Sequence, residues 1–405
     1  MAATVTLALV ALGGYGNSYL RALFEQAEAN DVRFVAGIDP APVGCRYLEQ
    51  LQAQGIPIYP NLASFYAHSS ADLVAIAAPI HLHLPFTQIA LAHGAQVLCE
   101  KPVAGTIQDV HAMAAAESQA GKPVAIGYQW SYSVAIQALK HDILSGELGR
   151  PLRLVTKLLW PRPASYYHRN TWAAKLKAAD GSWILDSPVM NATAHYLHNC
   201  FYILGKTRET SARPVDVQAE LYRANPIENY DTGALRCHTE EGVEIIFLTT
   251  HAVPETIGPV LRYEFEQAIV EYRAYEESMV ARFRNGRVKD YGSPYTNEMG
   301  KIWQVAETVR SGALPACGIA GATPHILATN GAQESMWEIT EFPAELIRQG
   351  GREEDPLIWV EGLQQAVEAC FEQACLPSEL GTAPWARSGR LIDLRAYRRF
   401  PTFHA

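Results

Sequence analysis

The strongest constraint on this chain is a repeated alternation of short apolar runs and helical patterns in its first 127 residues. Residues 5–12 read as a buried strand, 13–16 as a glycine turn and 17–29 as a helix. Residues 32–38 and 71–78 read as further strands, and 85–93 as a helix closed by Gly94. A strand over 97–99, a helix over 106–120 closed by Gly121, and a strand over 123–127 complete the series. Strands alternating with helices pack as a doubly wound parallel sheet. Such a sheet binds ligands outside the carboxyl ends of its strands.

Chemistry is therefore sought where the strands end. Gly13-Gly14-Tyr15-Gly16 lies between strand and helix, where glycines let the backbone approach a pyrophosphate. The helix N-terminus adds free N–H groups and a positive dipole end. The pattern departs from G-x-G-x-x-G at its first position, Ala11, while Gly13 and Gly16 fill the second and third. A plain tight turn is the competing reading. Asp39 ends the second strand, and an acid about 20 residues beyond the glycines can bind ribose hydroxyls. It would also repel a 2′-phosphate, so NAD is expected rather than NADP. Val97-Leu98-Cys99-Glu100-Lys101-Pro102 runs apolar and then charged. Pro102 cannot donate to a ladder, so the strand stops near Lys101, and Thr106 caps the next helix. Lys101 is then either a solvated chain end or a functional group at the ligand edge.

Composition narrows the classes. The 405 residues allow two domains and a tail, and 48% apolar with 19% charged content gives ample core. A net charge of -9 argues against nucleic acid or anionic membranes as partners. Seven scattered cysteines form no Cys-x-x-Cys pair, which fits a reducing cytoplasm and no zinc or disulfide framework. The apolar start lacks a basic leader segment, and no stretch is long and apolar enough to span a bilayer. His81 and His83 lack an evident third ligand, so no metal is expected.

Beyond a helix at 132–144 the pattern changes to strands: 152–160, 215–223, 234–239, 243–249, 261–270 and 278–284. Val215, Val217, Ala219 and Leu221 alternate with Asp216, Gln218 and Glu220. An antiparallel sheet of about six strands is expected, with helices on one face and the other wet or packed on another subunit. Between the first two strands lies a polar-aromatic stretch with Trp160, Arg162, Tyr166, Tyr167, Arg169, Asn170, Trp172, Trp183 and Asp186. Flat apolar faces beside amide, hydroxyl and guanidinium groups suit a sugar ring; a decorated core loop is the alternative. A helix follows from Asn191, placing Asn191 and His195 on one face. Residues 357–374 read as one more helix. The basic, aromatic tail at 385–403 reads as a surface arm, or one that packs on a subunit or covers a site.

Ala11 to Gly16, Ala78-Pro79-Ile80-His81-Leu82-His83 and Glu100-Lys101-Pro102 closely resemble the Gfo/Idh/MocA oxidoreductases in order and spacing. The resemblance covers residues 1 to about 345 and implies a Rossmann domain at 1–127. An α+β domain with a large open, mostly antiparallel sheet follows at 128–345, leaving 346–405 as a helix and arm. It implies a homodimer or homotetramer through the open sheet face. It places Glu100 and Lys101 beside the nicotinamide, with Lys101 on the reacting hydroxyl and Glu100 orienting it. Gly13, Gly14, Tyr15, Gly16, Asn17, Asp39, Ala78, Pro79, His83 and Gln129 are the remaining cofactor contacts implied. His195 takes the family's catalytic histidine. Asn191 stands where the family has an aspartate, and Asp186 is the candidate to restore a carboxylate. Tyr166, Tyr167, Arg169, Asn170 and Trp172 complete the implied substrate contacts. The activity implied is an NAD(P)-dependent dehydrogenase or reductase of a sugar, glycoside or polyol. A glycosidase that oxidises its sugar transiently and a non-catalytic cofactor or sugar sensor remain open.

Overall fold

The computed structural model describes residues 3–274 and 278–403. It falls into two compact units: Met1–Ala104, Gln108–Ser133 and Tyr295–Thr323 in the first, and Gly105–Ile107, Val134–Pro294 and Pro324–Ala405 in the second.

In the first unit, β1 (Val5–Val10), β2 (Val32–Ile38), β3 (Ile58–Tyr59), β4 (Leu73–Ile76), β5 (Gln96–Cys99) and β6 (Val124–Ile126) form one sheet. Their order is β3-β2-β1-β4-β5-β6. Every pairing is parallel. Leu73 to Ile76 and Val97 to Cys99 are 0% exposed, which is why these strands read as continuous apolar runs. The strand order reverses between β1 and β4. Val10 lies opposite Ile38 and Ile76, and Cys99 opposite Ile76 and Ile126. The segments that follow these residues therefore leave the sheet at one edge.

Residues 295–323, expected in the second domain, return to the first unit. The Gly300–Ser311 helix is held there by side chains. Gln96 Nε2 donates to Thr308 Oγ1 at 2.6 Å, Gln304 Nε2 to the Tyr132 carbonyl at 2.8 Å, and Trp303 Nε1 to Gln26 Oε1 at 3.2 Å.

The second unit contains β7 (Pro151–Leu159), β8 (Pro214–Arg223), β9 (Thr232–Thr239), β10 (Glu244–Thr250) and β11 (Ile257–Phe265). They are followed by β12 (Ala268–Arg273), β13 (Met279–Phe283), β14 (Val288–Gly292) and the short β15 (Thr340–Glu341). These nine strands order as β14-β13-β12-β11-β7-β10-β9-β8-β15. β16 (Ile347–Arg352) and β17 (Asp355–Val360) form a separate hairpin, and β18 (Ile392–Asp393) adds to β8. The main sheet is larger than the six strands expected, and it is mixed. β7 enters between β11 and β10 and pairs parallel to β10, and β15 pairs parallel to β8. The run at 261–270 is two strands, because a turn at Glu266-Gln267 separates β11 from β12.

The second face of this sheet is not open over β7 to β11. Val155, Leu159, Tyr222, Ala234, Ile246, Leu248 and Val260 form one buried cluster with Leu363, Val367, Phe371, Leu376 and Trp385. The cover is the Leu363–Gln373 helix and the chain after it. Glu220, expected on the face that is wet or packed on another subunit, is 0% exposed. Its carboxylate accepts from Tyr222 OH and Ser378 Oγ, both at 2.5 Å. Tyr222 packs edge-on against Trp385 at 5.0 Å. The homodimer or homotetramer expected through an open face thus meets a face already filled by residues 363–386. The predicted 357–374 helix is a strand and a helix, broken at Gly362, whose φ of 79° suits glycine. The arm at 385–403 is anchored: Glu334 accepts from Tyr397 OH at 2.7 Å and from the Thr402 N–H at 2.6 Å.

Phe371 is 3% exposed, with Lys157 Nζ 4.8 Å and the Arg262 guanidinium 5.1 Å from its ring centre. Phe371→Ala is expected to lower unfolding free energy by about 3–5 kcal/mol in urea titrations.

Candidate functional site

In the first unit the strand β1 ends in a tight cradle. Ala11 has a φ of 68°, in the region that favours glycine, which costs about 1–2 kcal/mol. Glycine at position 16 is enforced by contact, since a Cβ there would lie 2.1 Å from the Ala11 carbonyl oxygen. The Gly16–Gln26 helix has no acidic residue in its first turn and no side-chain cap, so its positive end is uncompensated. Asn17 ties the turn to the loop after β2. Its Nδ2 donates to the Gly14 carbonyl at 3.2 Å and the Gly44 carbonyl at 3.0 Å, and its Oδ1 accepts the Arg46 N–H at 2.7 Å. Asp39 is more than a turn residue. One carboxylate oxygen accepts the Leu12 N–H and the other the Ala41 N–H, both at 2.9 Å. The cradle that a Cβ would fill and this fixed carboxylate fit the pyrophosphate and ribose of a dinucleotide.

The segment after β5 rests on a buried ion pair. Glu100 is 5% exposed, and its Oε1 accepts from Tyr19 OH at 2.6 Å and from the Lys301 ammonium. Lys301 is 0% exposed and also reaches Tyr15 OH at 3.3 Å. Burial works against its charge, but the Glu100 carboxylate outweighs this and holds the ammonium above its ordinary pKa. Glu100 was expected beside the cofactor as the partner of Lys101. Its Oε1 is taken by Lys301 and Tyr19, and its Oε2 accepts the Lys101 main-chain N–H at 3.3 Å. A Cβ at Gly127 would lie 2.6 Å from Glu100 Oε1, so the strand after β5 must also stay bare there. Tyr15 OH donates to Gln129 Oε1 at 3.4 Å, and Gln129 Nε2 donates to Glu298 at 3.1 Å.

His83, expected as a cofactor contact, is 1% exposed. Its Nδ1 faces the Pro102 carbonyl at 2.8 Å and its Nε2 the Ala78 carbonyl at 2.9 Å. Burial lowers its pKa, and a neutral ring donates to one of these oxygens only. It braces the ends of β4 and β5 against each other. Ala78 and Pro79 follow β4 at the same sheet edge and are half-buried.

In the second unit Asp186 is the centre. It is 3% exposed; Oδ2 accepts the Ala174 N–H at 2.6 Å and Arg169 Nη2 at 3.3 Å, and Oδ1 accepts Asn191 Nδ2 at 2.7 Å. The carboxylate thus stands beside Asn191, with its charge offset by Arg169. Asn191 and His195 do not share one helix. Asn191 lies in the Pro188–Ala192 turn, Thr193 breaks the path at φ -113°, and His195 sits in the Ala194–Ile203 helix. Asn170 Oδ1 accepts the Trp172 N–H at 3.0 Å. The Arg169 guanidinium lies 3.9 Å from the Tyr166 ring centre and 5.5 Å from that of Trp172. Tyr167 packs edge-on against Tyr166 at 5.4 Å.

Three residues escaped the sequence. Lys301 and Tyr19 look like ordinary positions of surface helices, and only the fold places them on Glu100. His251 is 1% exposed, packs on Tyr166 at 5.6 Å and faces the Trp160 carbonyl through Nδ1 at 2.8 Å. Burial, aided by the Arg162 charge, lowers its pKa to about 3. Among the described residues no group of three or more His, Cys, Asp or Glu is placed to hold a metal ion. No helix among them is long and apolar enough to cross a membrane.

The family described as "Oxidoreductase family, NAD-binding Rossmann fold" matches residues 5–128, the cradle included. Residues 5–128 therefore carry the NAD-binding domain of the Gfo/Idh/MocA oxidoreductases. Within the first unit this stretch is accordingly an NAD-binding domain. An inositol 2-dehydrogenase from Burkholderia ambifaria (strain MC40-6) is 27% identical over 231 residues, which cover 54% of this chain and 63% of that one. A D-apiose dehydrogenase from Rhizobium rhizogenes (strain K84 / ATCC BAA-868) is 25% identical over 207 residues, covering 49% and 55%. The chain therefore spans less than two thirds of the length of these curated relatives. An oxidoreductase from Agrobacterium radiobacter, solved with NAD+, L-tartaric acid and magnesium, shares the fold at a TM-score of 0.67. It is 19% identical, with 83% of this chain and 97% of that one covered.

Lys301→Met leaves Glu100 buried and unpaired and should cost about 3–5 kcal/mol in urea unfolding. Adding Glu100→Gln should restore part of it. Acid lability follows from His83, His198 and His251, whose rings burial keeps below the ordinary value of 6.5. The unfolded chain protonates these rings first. Their contribution is therefore complete above pH 6.5 and lost as pH falls from 6.5 toward 3, which thermal melts across that range check.

Proposed function

We propose that the chain is an NAD-dependent oxidoreductase that moves a hydride between a secondary hydroxyl of a sugar, glycoside or polyol and the nicotinamide. The observation that carries this is the placement of the glycine cradle, Asp39, Pro79 and Lys101 at one sheet edge, each following a strand end in register. The inositol and D-apiose dehydrogenases among the relatives support a polyhydroxylated substrate. Gly13, Gly14 and Gly16 would hold the pyrophosphate and Asp39 the adenosine ribose. Bound NAD supplies the hydride acceptor.

The chain supplies the proton chemistry. Oxidising an alcohol needs a base for the hydroxyl proton and donors for the oxygen that becomes a carbonyl. Lys101 and His195 are the groups assigned these roles. Asn191, held by Asp186, offers an amide to orient a neighbouring hydroxyl. Asp186, with Arg169 on it, acts by positioning. Asp39 disfavours a 2′-phosphate, which supports NAD over NADP. All seven cysteines are free thiols, which supports a reducing compartment such as the cytoplasm.

A panel of sugars, glycosides and polyols assayed for NADH formation tests the reading. Stoichiometric NADH is expected. Release of an aglycone without NADH would favour redox-assisted glycoside cleavage instead. Lys101→Ala and His195→Ala should each lower kcat by about 10²–10⁴-fold while calorimetry finds NAD affinity little changed. Loss of NAD affinity in both variants would overturn this division of labour.

A further inference from the structure

The polar-aromatic stretch of the second unit holds more positive charge than its sugar-stacking role requires. Two guanidinium groups face the ring of Tyr166: Arg169 at 3.9 Å and Arg162 at 4.7 Å from its centre. Their electrostatic situations differ. Arg169 is paired with Asp186 at 3.3 Å. Arg162 has no carboxylate within ion-pair distance among the described residues, and its Nε is buried without a hydrogen-bond partner. The other nearby acid, Asp231, is already satisfied by the N–H groups of Ala224 and Asn225, the Asn225 amide and the Thr232 hydroxyl. One guanidinium N–H therefore stands without a protein acceptor in a partly dry setting.

Two more buried polar atoms beside Tyr166 lack partners: the Tyr167 hydroxyl and His251 Nε2. Native interiors rarely leave such atoms unpaired, so a concentration of them beside one ring points to a ligand. Their chemistry says which kind. Arg162 Nε–H and the Tyr167 O–H donate. His251 is neutral and turns Nδ1 to the Trp160 carbonyl at 2.8 Å, so that nitrogen carries the proton and Nε2 accepts. The set is two donors, one of them charged, with one acceptor.

We propose that Arg162, Tyr167 and His251 bind a hydroxylated carboxylate, so that the substrate is a sugar acid rather than a neutral sugar. The carboxylate takes the donors and an adjoining hydroxyl donates to His251. The two donors match the two oxygens of a carboxylate, and the charged one favours an anion. This rests on the oxidoreductase reading only for the fate of the ligand, not for its binding.

The test compares aldonates and uronates with their neutral counterparts and with sugar 6-phosphates, in the presence of NAD. Calorimetry measures binding and NADH formation measures turnover. An acid should surpass its neutral counterpart in affinity and in kcat/KM by at least about 10-fold. Arg162→Gln should shrink that preference by about 10- to 100-fold, and Arg162→Lys should retain part of it. Tyr167→Phe, which removes only an unpaired hydroxyl, should weaken acid binding without lowering thermal stability. Equal or better use of neutral sugars overturns the proposal and leaves the oxidoreductase reading standing. A preference for phosphates overturns the carboxylate assignment. Acid binding that is lost in Arg162→Gln, with no NADH from any compound, upholds the proposal and removes the oxidoreductase reading.

Discussion

The Lys301–Glu100 pair is the interaction on which the first unit's ligand edge depends. Two opposite charges out of water persist only when each is closely met. Glu100 is met by Lys301 and Tyr19, and Lys301 in addition by Tyr15. That contact set joins the glycine turn, the helix behind it, the strand end carrying Lys101 and a helix from far along the chain. Displacing any of them would leave a buried charge exposed to a poor environment. The edge is therefore rigid for an electrostatic reason, and rigidity is what a cradle for a flexible dinucleotide requires.

The second unit solves a similar problem with a different sign. There the buried charge is Asp186, met by a main-chain N–H, a guanidinium and the amide of Asn191. An asparagine in place of a carboxylate is not a simple loss. Its amide is a donor that a second aspartate could not offer, and it keeps the neighbouring carboxylate from facing another anion. The two residues work as one unit with a fixed amide orientation.

What could be read in advance follows from how each element is buried. Strands covered on both faces advertise themselves as unbroken apolar runs, so β1, β4 and β5 and the turns after them were legible to within a few residues. Asp39 and Lys101 were legible because they end such runs. Glu220 misled because alternation assumes a wet face, and the face is filled by residues that lie far downstream. Lys301 was invisible because a lysine on an amphipathic helix looks solvated until its partner is known. The wider winding at 188–192, just ahead of the helix that carries His195, was hidden because it carries no mark in residue type. Arg162 stood in plain view within the aromatic stretch, but its unpartnered Nε–H is a property of three dimensions.

The segment covering β7 to β11 lies downstream of every strand it covers. Until residues 363–386 emerge during synthesis, the strands they shield present Val155, Ile246 and Leu248 to solvent or to a chaperone. Closure of the second unit's core thus waits on residues 363–386, and a chain cut short before them would carry a sticky, uncovered sheet face.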